Sequence, residues 1–145
     1  MTLGRTSQPA RSRPVPVAPG QAFLLLARAR AVLGEAACAD TDDERFRLAH
    51  LGALRVAAAV LAERGRPAGS WRRLLSAWVL IESVAPELAD WAAYFAAGAA
   101  ARAAIEAGAN HVVGSREADD QLRAACEFLH VVETSLSLLA PPLAS

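Results

Sequence analysis

Alanine dominates this chain: 35 of its 145 residues are Ala. Ala loses no side-chain rotamer freedom on entering a helix, so it is the strongest helix former. It also presents only a methyl group, so helices that meet through alanines approach closely and bury little area per residue. The sequence therefore predicts an all-α protein packed tightly around a thin core of Leu, Val and Trp. Hydrophobic residues reach 54% and charged ones 21%, which excludes a globally disordered chain.

The length suits one domain. Fifteen Arg and no Lys balance fifteen acids, so no global field favours a polyanion and any nucleic-acid contact needs a local patch. No apolar stretch reaches the roughly 18 residues of a membrane span, and residues 1–20 lack the apolar segment of a secretory signal. A soluble, cytoplasmic protein with no membrane role is the expectation. Cys38 and Cys126 fall inside helical stretches, outside any metal-ligand spacing. Two buried or half-buried thiols in a reducing compartment are expected.

Residues 1–19 hold Pro9, Pro14, Pro16 and Pro19 with Arg5, Arg11 and Arg13, and no acid. That density of Pro blocks helix and ladder alike, so the segment is expected to be a disordered basic tail. A helical domain spans 20–139, and 140–145 form a flexible end. Helix one is predicted over 20–39, with Phe23, Leu26, Ala27, Arg30, Leu33 and Ala37 on its inner stripe. Asp40-Thr41-Asp42 breaks the chain, and Asp42, Asp43 and Glu44 suit the positive end of helix two. That helix runs over 42–64 and stops at Gly65 and Pro67. Ser70 is a cap for helix three, over 71–84. Pro86 opens helix four, which ends at Gly108, with Gly98 in its interior implying a close backbone neighbour. Ser115 opens helix five, with Leu122, Ala125, Leu129, Val132 and Leu136 inside, and Pro141-Pro142 ends it. Short links between long helices favour antiparallel neighbours. The expected fold is an up-and-down bundle of four long helices plus one shorter helix.

Three His are the first place to look for chemistry. His111 reads as a solvated loop residue. His50 follows Arg45 by five, but five helical steps turn about 500°, leaving the two about 140° apart. Arg47 and His50, three apart, share a face. His130 follows Arg123 by seven, and about 700° leaves these within about 20° of one face, roughly 10 Å apart along the axis. Arg123 with His130, or Arg47 with His50, are thus the candidate catalytic pairs, Arg to hold a phosphate and His to move a proton. Each has a plain alternative: His50 as a half-buried residue beside Phe46 and Leu54, His130 on an exposed flank. Glu127-Phe128-Leu129-His130 spells Glu-x-x-His, yet a di-iron bundle needs a second copy and further carboxylates, so no metal and no cofactor are expected. The stretch from Arg64 to Arg73 holds Arg64, Arg66, Trp71, Arg72 and Arg73 without an acid. Arg forks match phosphates and Trp stacks bases, so this is the candidate nucleic-acid contact. Cations also suit a helix C-terminus, and Trp71 suits a core.

Several segments carry a family likeness: Ala49-His50-Leu51-Gly52-Ala53-Leu54-Arg55-Val56-Ala57-Ala58, Ser76-Ala77-Trp78-Val79-Leu80, the run from Val84 to Gly98, and Ser115 to Leu122. Over about 20–139 the chain resembles a small actinobacterial, SAV-type group of the HEPN superfamily (higher eukaryotes and prokaryotes nucleotide-binding). The resemblance implies a four-helix up-and-down bundle, often a homodimer. Many members of the wider superfamily are metal-independent ribonucleases, some of them toxins. They use an Arg-x4–6-His motif with a polar residue directly after the Arg. Here Phe46 follows Arg45 and Ala124 follows Arg123. Other members are non-catalytic modules, and the expectation is such a module, binding RNA, nucleotide or a partner protein as a dimer. A toxin-like ribonuclease and a purely structural interaction protein are the alternatives.

Overall fold

The computed structural model describes residues 19–65 and 76–139. Its elements are α1 (Pro19–Ala37), α2 (Asp42–Arg64), α3 (Ala77–Val84), a 3₁₀ turn (Pro86–Leu88), α4 (Ala89–Ala97), α5 (Ala99–Glu106) and α6 (Ser115–Leu139). Every described element is helical, as the alanine content and the 3.6-residue periodicity predict.

Local chemistry sets the boundaries. Thr41 caps α2: its hydroxyl accepts from the Glu44 N–H at 3.1 Å, satisfying one of the four orphan donors of the first turn. Asp42, Asp43 and Glu44 place negative charge there. At the other end Gly65 has φ 82° and donates its N–H to the Leu61 carbonyl at 2.8 Å. Only glycine takes that conformation at little cost. Gly108 (φ 101°) closes α5 with a double bond pattern, Gly108 N–H to Ile105 O and Ala109 N–H to Ala104 O, each 3.0 Å. Helix three begins later than predicted among the described residues, at Ala77, with the Ser76 hydroxyl accepting from Val79 N–H at 3.3 Å. Ser70 and Trp71 to Leu75 lie outside the described residues.

The chain order gives an up-and-down bundle in which α4 and α5 together form one rod. Asp43, in the first turn of α2, accepts from the N–H groups of Val112 and Val113, just ahead of α6. So α2 and α6 start at one end and run in the same sense. At the opposite end Arg64 pairs with Glu87 and donates to the Val84 carbonyl at 3.2 Å, tying the finish of α2 to the start of the α4–α5 rod. Arg30 of α1 pairs with Glu133 of α6.

The predicted long fourth helix is interrupted at Gly98, between α4 and α5. The predicted reason was a neighbouring backbone, but side chains are what crowd that glycine. A Cβ there would lie 3.1 Å from Phe46 Cζ, 3.4 Å from Gln121 Nε2 and 3.5 Å from His50 Cδ2. The predicted inner stripe of α1 is also rotated. The buried positions are Ala22, Leu26, Ala29, Leu33 and Ala36, while Phe23 stands 46% exposed. Cys38 and Cys126, expected to be buried or half-buried, are both exposed and free.

Two kinds of core result. Where α1 meets α2, the buried stripe of α1 is largely methyl groups, Ala22, Ala29 and Ala36, and α2 buries Ala49, Ala53, Ala57 and Ala59 along its length. Gly52 lets Leu33 in, since a Cβ on Gly52 would sit 2.3 Å from Leu33 Cδ2. Where α3, α4 and α6 meet, aromatic rings fill the space. Phe95 stacks on Trp78 with centroids 5.2 Å apart and meets Phe128 at 5.4 Å, and Trp91 stacks on Phe128 at 5.6 Å. Such pairs contribute about 0.5–1.5 kcal/mol each beyond their area burial. No described helix is long and apolar enough to cross a membrane.

Candidate functional site

His50 stands where the two cores meet. It is 1% exposed, far deeper than the half-buried position beside Phe46 and Leu54 that its sequence neighbours suggest. Trp78 meets its ring edge-on at 5.9 Å and Phe95 at 6.5 Å. Its Nε2 lies 3.0 Å from the Phe95 carbonyl oxygen. A carbonyl only accepts, so Nε2 carries the proton and donates, and Nδ1 holds a lone pair. The Nδ1 atom is buried with no partner. Burial, with Arg102 nearby as a smaller cause, pushes the imidazole below its ordinary pKa. The ring is therefore neutral at neutral pH.

This bond explains the helix break. The Phe95 carbonyl accepts from Gly98 N–H at 3.0 Å, a tightened 3₁₀-type link, and from His50 Nε2. Its second acceptor site is thus filled from another helix at the point where α4 gives way to α5. His50 acts as a pin between α2 and the broken rod. Gln121, 3% exposed on α6, faces the same kink, and its Nε2 also lacks a partner.

The arginines near His50 are engaged elsewhere. Arg45 donates to Asp42 at 2.9 Å and to the Ala39 carbonyl at 3.4 Å, and lies 3.5 Å from Asp119. Arg47 grips Glu44 through two parallel bonds of 3.0 and 2.7 Å, a fork geometry that lowers the Glu44 carboxyl below its usual range. The predicted pair of Arg47 and His50 therefore shares no partner.

The second predicted pair lies on the outside of α6. Arg123 is exposed and donates to Asp120 at 2.8 Å. His130 is exposed two turns on. Arg123 helps to wall a groove of about 550 Å³ between α4 and α6, together with Asp90, Trp91, Tyr94, Asp120, Ala124 and Glu127. His130 is not part of that wall. A second hollow of about 540 Å³ adjoins the first through Tyr94 and Asp120 and reaches Phe46, Gly98, Arg116, Glu117 and Gln121. The two make one trough along the α4–α6 seam. Its floor is aromatic, and Tyr94 is 42% exposed. Its rim holds four carboxylates, Asp90, Glu117, Asp120 and Glu127, against two guanidinium groups, Arg116 and Arg123. Burial and Asp120 raise the Tyr94 hydroxyl above its ordinary pKa. Sequence reading missed this trough, because its residues come from segments 16 or more apart and no motif joins them.

Of the predicted nucleic-acid contacts, only Arg64 is described. It is engaged with Glu87 and the Val84 carbonyl, and that pairing raises its pKa. Arg66, Trp71, Arg72 and Arg73 lie outside the described residues. At the opposite end, Asp43 holds the loop before α6 by accepting from Val112 and Val113, each at 3.0 Å. These bonds, that of Val113 foremost, hold its carboxyl below the usual range. His111, exposed in that loop as predicted, has φ 56°. Among the described residues, no group of three or more His, Cys, Asp or Glu is placed to hold a metal ion.

An all-α bundle with a broken third rod, pinned through a buried histidine, defines the structural class. By sequence, the chain belongs to the family of SAV_6107-like HEPN domains, whose model matches residues 36–133, from the end of α1 to most of α6. No curated protein and no solved structure matches the chain.

Proposed function

We propose that this chain is a non-catalytic HEPN module that works as a dimer and holds a protein partner in the trough between α4 and α6. The observation that carries this reading is the state of His50. It is the one histidine at Arg-x4-His spacing, and it is enclosed by Trp78 and Phe95 and spent on the Phe95 carbonyl. A general acid–base needs contact with its substrate and a pKa near the working pH. His50 has neither. Arg45, the arginine of that spacing, is neutralised by Asp42 and Asp119.

The charge of the trough favours protein over RNA. Carboxylates outnumber guanidinium groups there by four to two, and one of those two, Arg123, already pairs with Asp120. Phosphates approaching it meet like charge. A basic peptide meets opposite charge and an aromatic floor. The exposed alanines Ala96, Ala100 and Ala103 on the α4–α5 rod supply a face on which a second copy can pack closely.

A ribonuclease reading has one supporting observation: Arg123 and His130 are both exposed on α6. The deciding experiment incubates the protein with a pool of single-stranded and structured RNAs, alongside His50→Ala and His130→Ala. The proposal expects no cleavage above background from any of the three, and a dimer by light scattering. Cleavage that His130→Ala abolishes overturns it.

A further inference from the structure

Helix α1 is apolar on two sides. Its inner side buries Ala22, Leu26, Ala29, Leu33 and Ala36. On the other side Gly20, Phe23, Leu24, Ala27, Ala31 and Gly34 fall within about 100° of one another. All six are exposed, Phe23 at 46% and Leu24 at 51%. The charged residues of the helix stand clear of that strip: Arg28 and Glu35 border one edge, and Arg30 the other. The outer side of α6, by contrast, carries Arg116, Glu117, Asp119, Arg123 and Glu127. A helix with apolar residues on both sides belongs between two layers, and contiguous apolar surface marks a place where another molecule sits.

The flanking charges name the occupant. Arg30 is spent on Glu133. Arg28 and Glu35 have no ion-pair partner among the described residues. Their spacing turns the helix by about 700°, which leaves both on one edge, roughly 10.5 Å apart along the axis. When two identical helices pair antiparallel, like edges meet, because the two-fold axis runs normal to the plane that holds them. With Ala31 on that axis, Arg28 lies within about 1.5 Å in height of the partner's Glu35, and symmetry repeats the pair. The same register sets Leu24 against the partner's Cys38, which is exposed just beyond α1. Ala27 then meets the partner's Gly34. An edge with one sign of charge would repel its own copy, and this edge matches it. The α4–α5 rod is the other face open to a second copy, but its Arg102 is already held by Glu106 at 3.0 Å.

We infer that a second copy of the chain docks antiparallel along the outer side of α1, centred on Ala31. Phe23 and Leu24 are its apolar anchors, and the Arg28–Glu35 pairs fix its register. The inference rests on the dimer reading above and names the surface. No residue of α1 lines the α4–α6 trough, so that groove stays free for a different partner. One helix face is smaller than the roughly 800 Å² per partner of a standard interface, so a Kd on the order of micromolar is expected.

Disulfide trapping tests the register. Three full-length chains each keep a single thiol: Ala31→Cys with both natural thiols changed to Ser, Cys38 alone, and Cys126 alone. Across the two-fold axis the Ala31→Cys thiols are adjacent, whereas the two Cys38 thiols stand about 21 Å apart along the helices. Under mild oxidation the Ala31→Cys chain is expected to form covalent dimer at least tenfold faster than either of the others. Equal rates overturn the inference, as does faster trapping through Cys38 or Cys126. Sedimentation over a range of concentrations tests the charges. Arg28→Glu and Glu35→Arg are each expected to raise Kd at least fivefold at low salt, and together to restore it to within twofold of the parent. Leu24→Arg should give a monomer of unchanged helicity. Single variants without effect, or a double variant as weak as the singles, overturn the docking. A dimer that survives Leu24→Arg and shows no trapping at Ala31→Cys uses another face, and only this inference fails. A parent chain that stays monomeric at every concentration defeats the dimer reading as well.

Discussion

The α1–α2 seam and the aromatic block under α3, α4 and α6 hold the same molecule together by opposite means. In the seam, methyl groups and Gly52 bring two helices close, and Leu33 fills the dent that the missing side chain leaves. In the block, Phe95, Trp78, Trp91 and Phe128 fill a wider gap with rings. The seam has almost nothing to lose and no room to gain. The block has large groups whose removal leaves large holes. A seam of this kind is broken by adding atoms, and a block by taking them away.

The largest effect follows from removing a ring at the centre of the block. Phe95 is fully buried and touches Trp78, Trp91, Tyr94 and Phe128. Phe95→Ala is expected to cost about 3–5 kcal/mol in urea unfolding, enough to leave a domain of ordinary stability near collapse. A cost below about 1 kcal/mol would mean that the rings are not the block's main support.

Gly52→Ala probes the seam by adding one carbon. Helix propensity alone would make it stabilising by about 1 kcal/mol. The clash with Leu33, only 4% exposed, opposes this with an overpacking cost of about 1–3 kcal/mol. A net loss of up to about 2 kcal/mol is expected from chemical denaturation. The cost should fall in a Leu33→Ala background, where the added methyl has space, and a double-mutant cycle reads that coupling. Additive single effects would show that the two residues do not meet. The smallest effect is the control: Gly34 on α1 has nothing within 4 Å of an added Cβ. Gly34→Ala should raise stability by about 0.5–1 kcal/mol, and a loss would place a neighbour there.

The same contrast explains what could be read in advance. Helix α2 was legible to the residue, because its limits rest on local chemistry at Thr41, Asp42 to Glu44 and Gly65. The inner face of α1 was not. Alanine occurs on every side of that helix, so Phe23 weighed heaviest in the pattern although it is exposed, and the true stripe of Ala22, Leu26, Ala29, Leu33 and Ala36 differs little from its neighbours in hydropathy. Phe128 was read only as a filler of Glu-x-x-His, yet it is fully buried. The break at Gly98 was not foreseen, since the glycine suggested only a close backbone within a continuous helix, and the groups that crowd it, Phe46, Gln121 and His50, belong to other helices. The role of His50 had no local signature at all, since its partner carbonyl lies 45 residues away. The candidate trough was hidden for the same reason: it is a product of how α4 and α6 lie side by side.

His50 joins the two regions and carries the functional reading, so its titration is the decisive measurement. Burial lowers its pKa in the folded protein below the ordinary value of 6.5. The folded state then binds the proton less readily than the unfolded chain. Stability is complete above pH 6.5, falls as the pH drops below it, and levels off only below the folded pKa. Nitrogen-detected imidazole spectra of the ¹⁵N-histidine-labelled protein, recorded from pH 8 to pH 4.5, read both the proton position and the titration. The account predicts a neutral ring protonated on Nε2 at pH 7, with a midpoint below 6.5. A midpoint at or above 6.5, or a proton on Nδ1, would contradict it and return His50 to the list of residues free to act on a substrate.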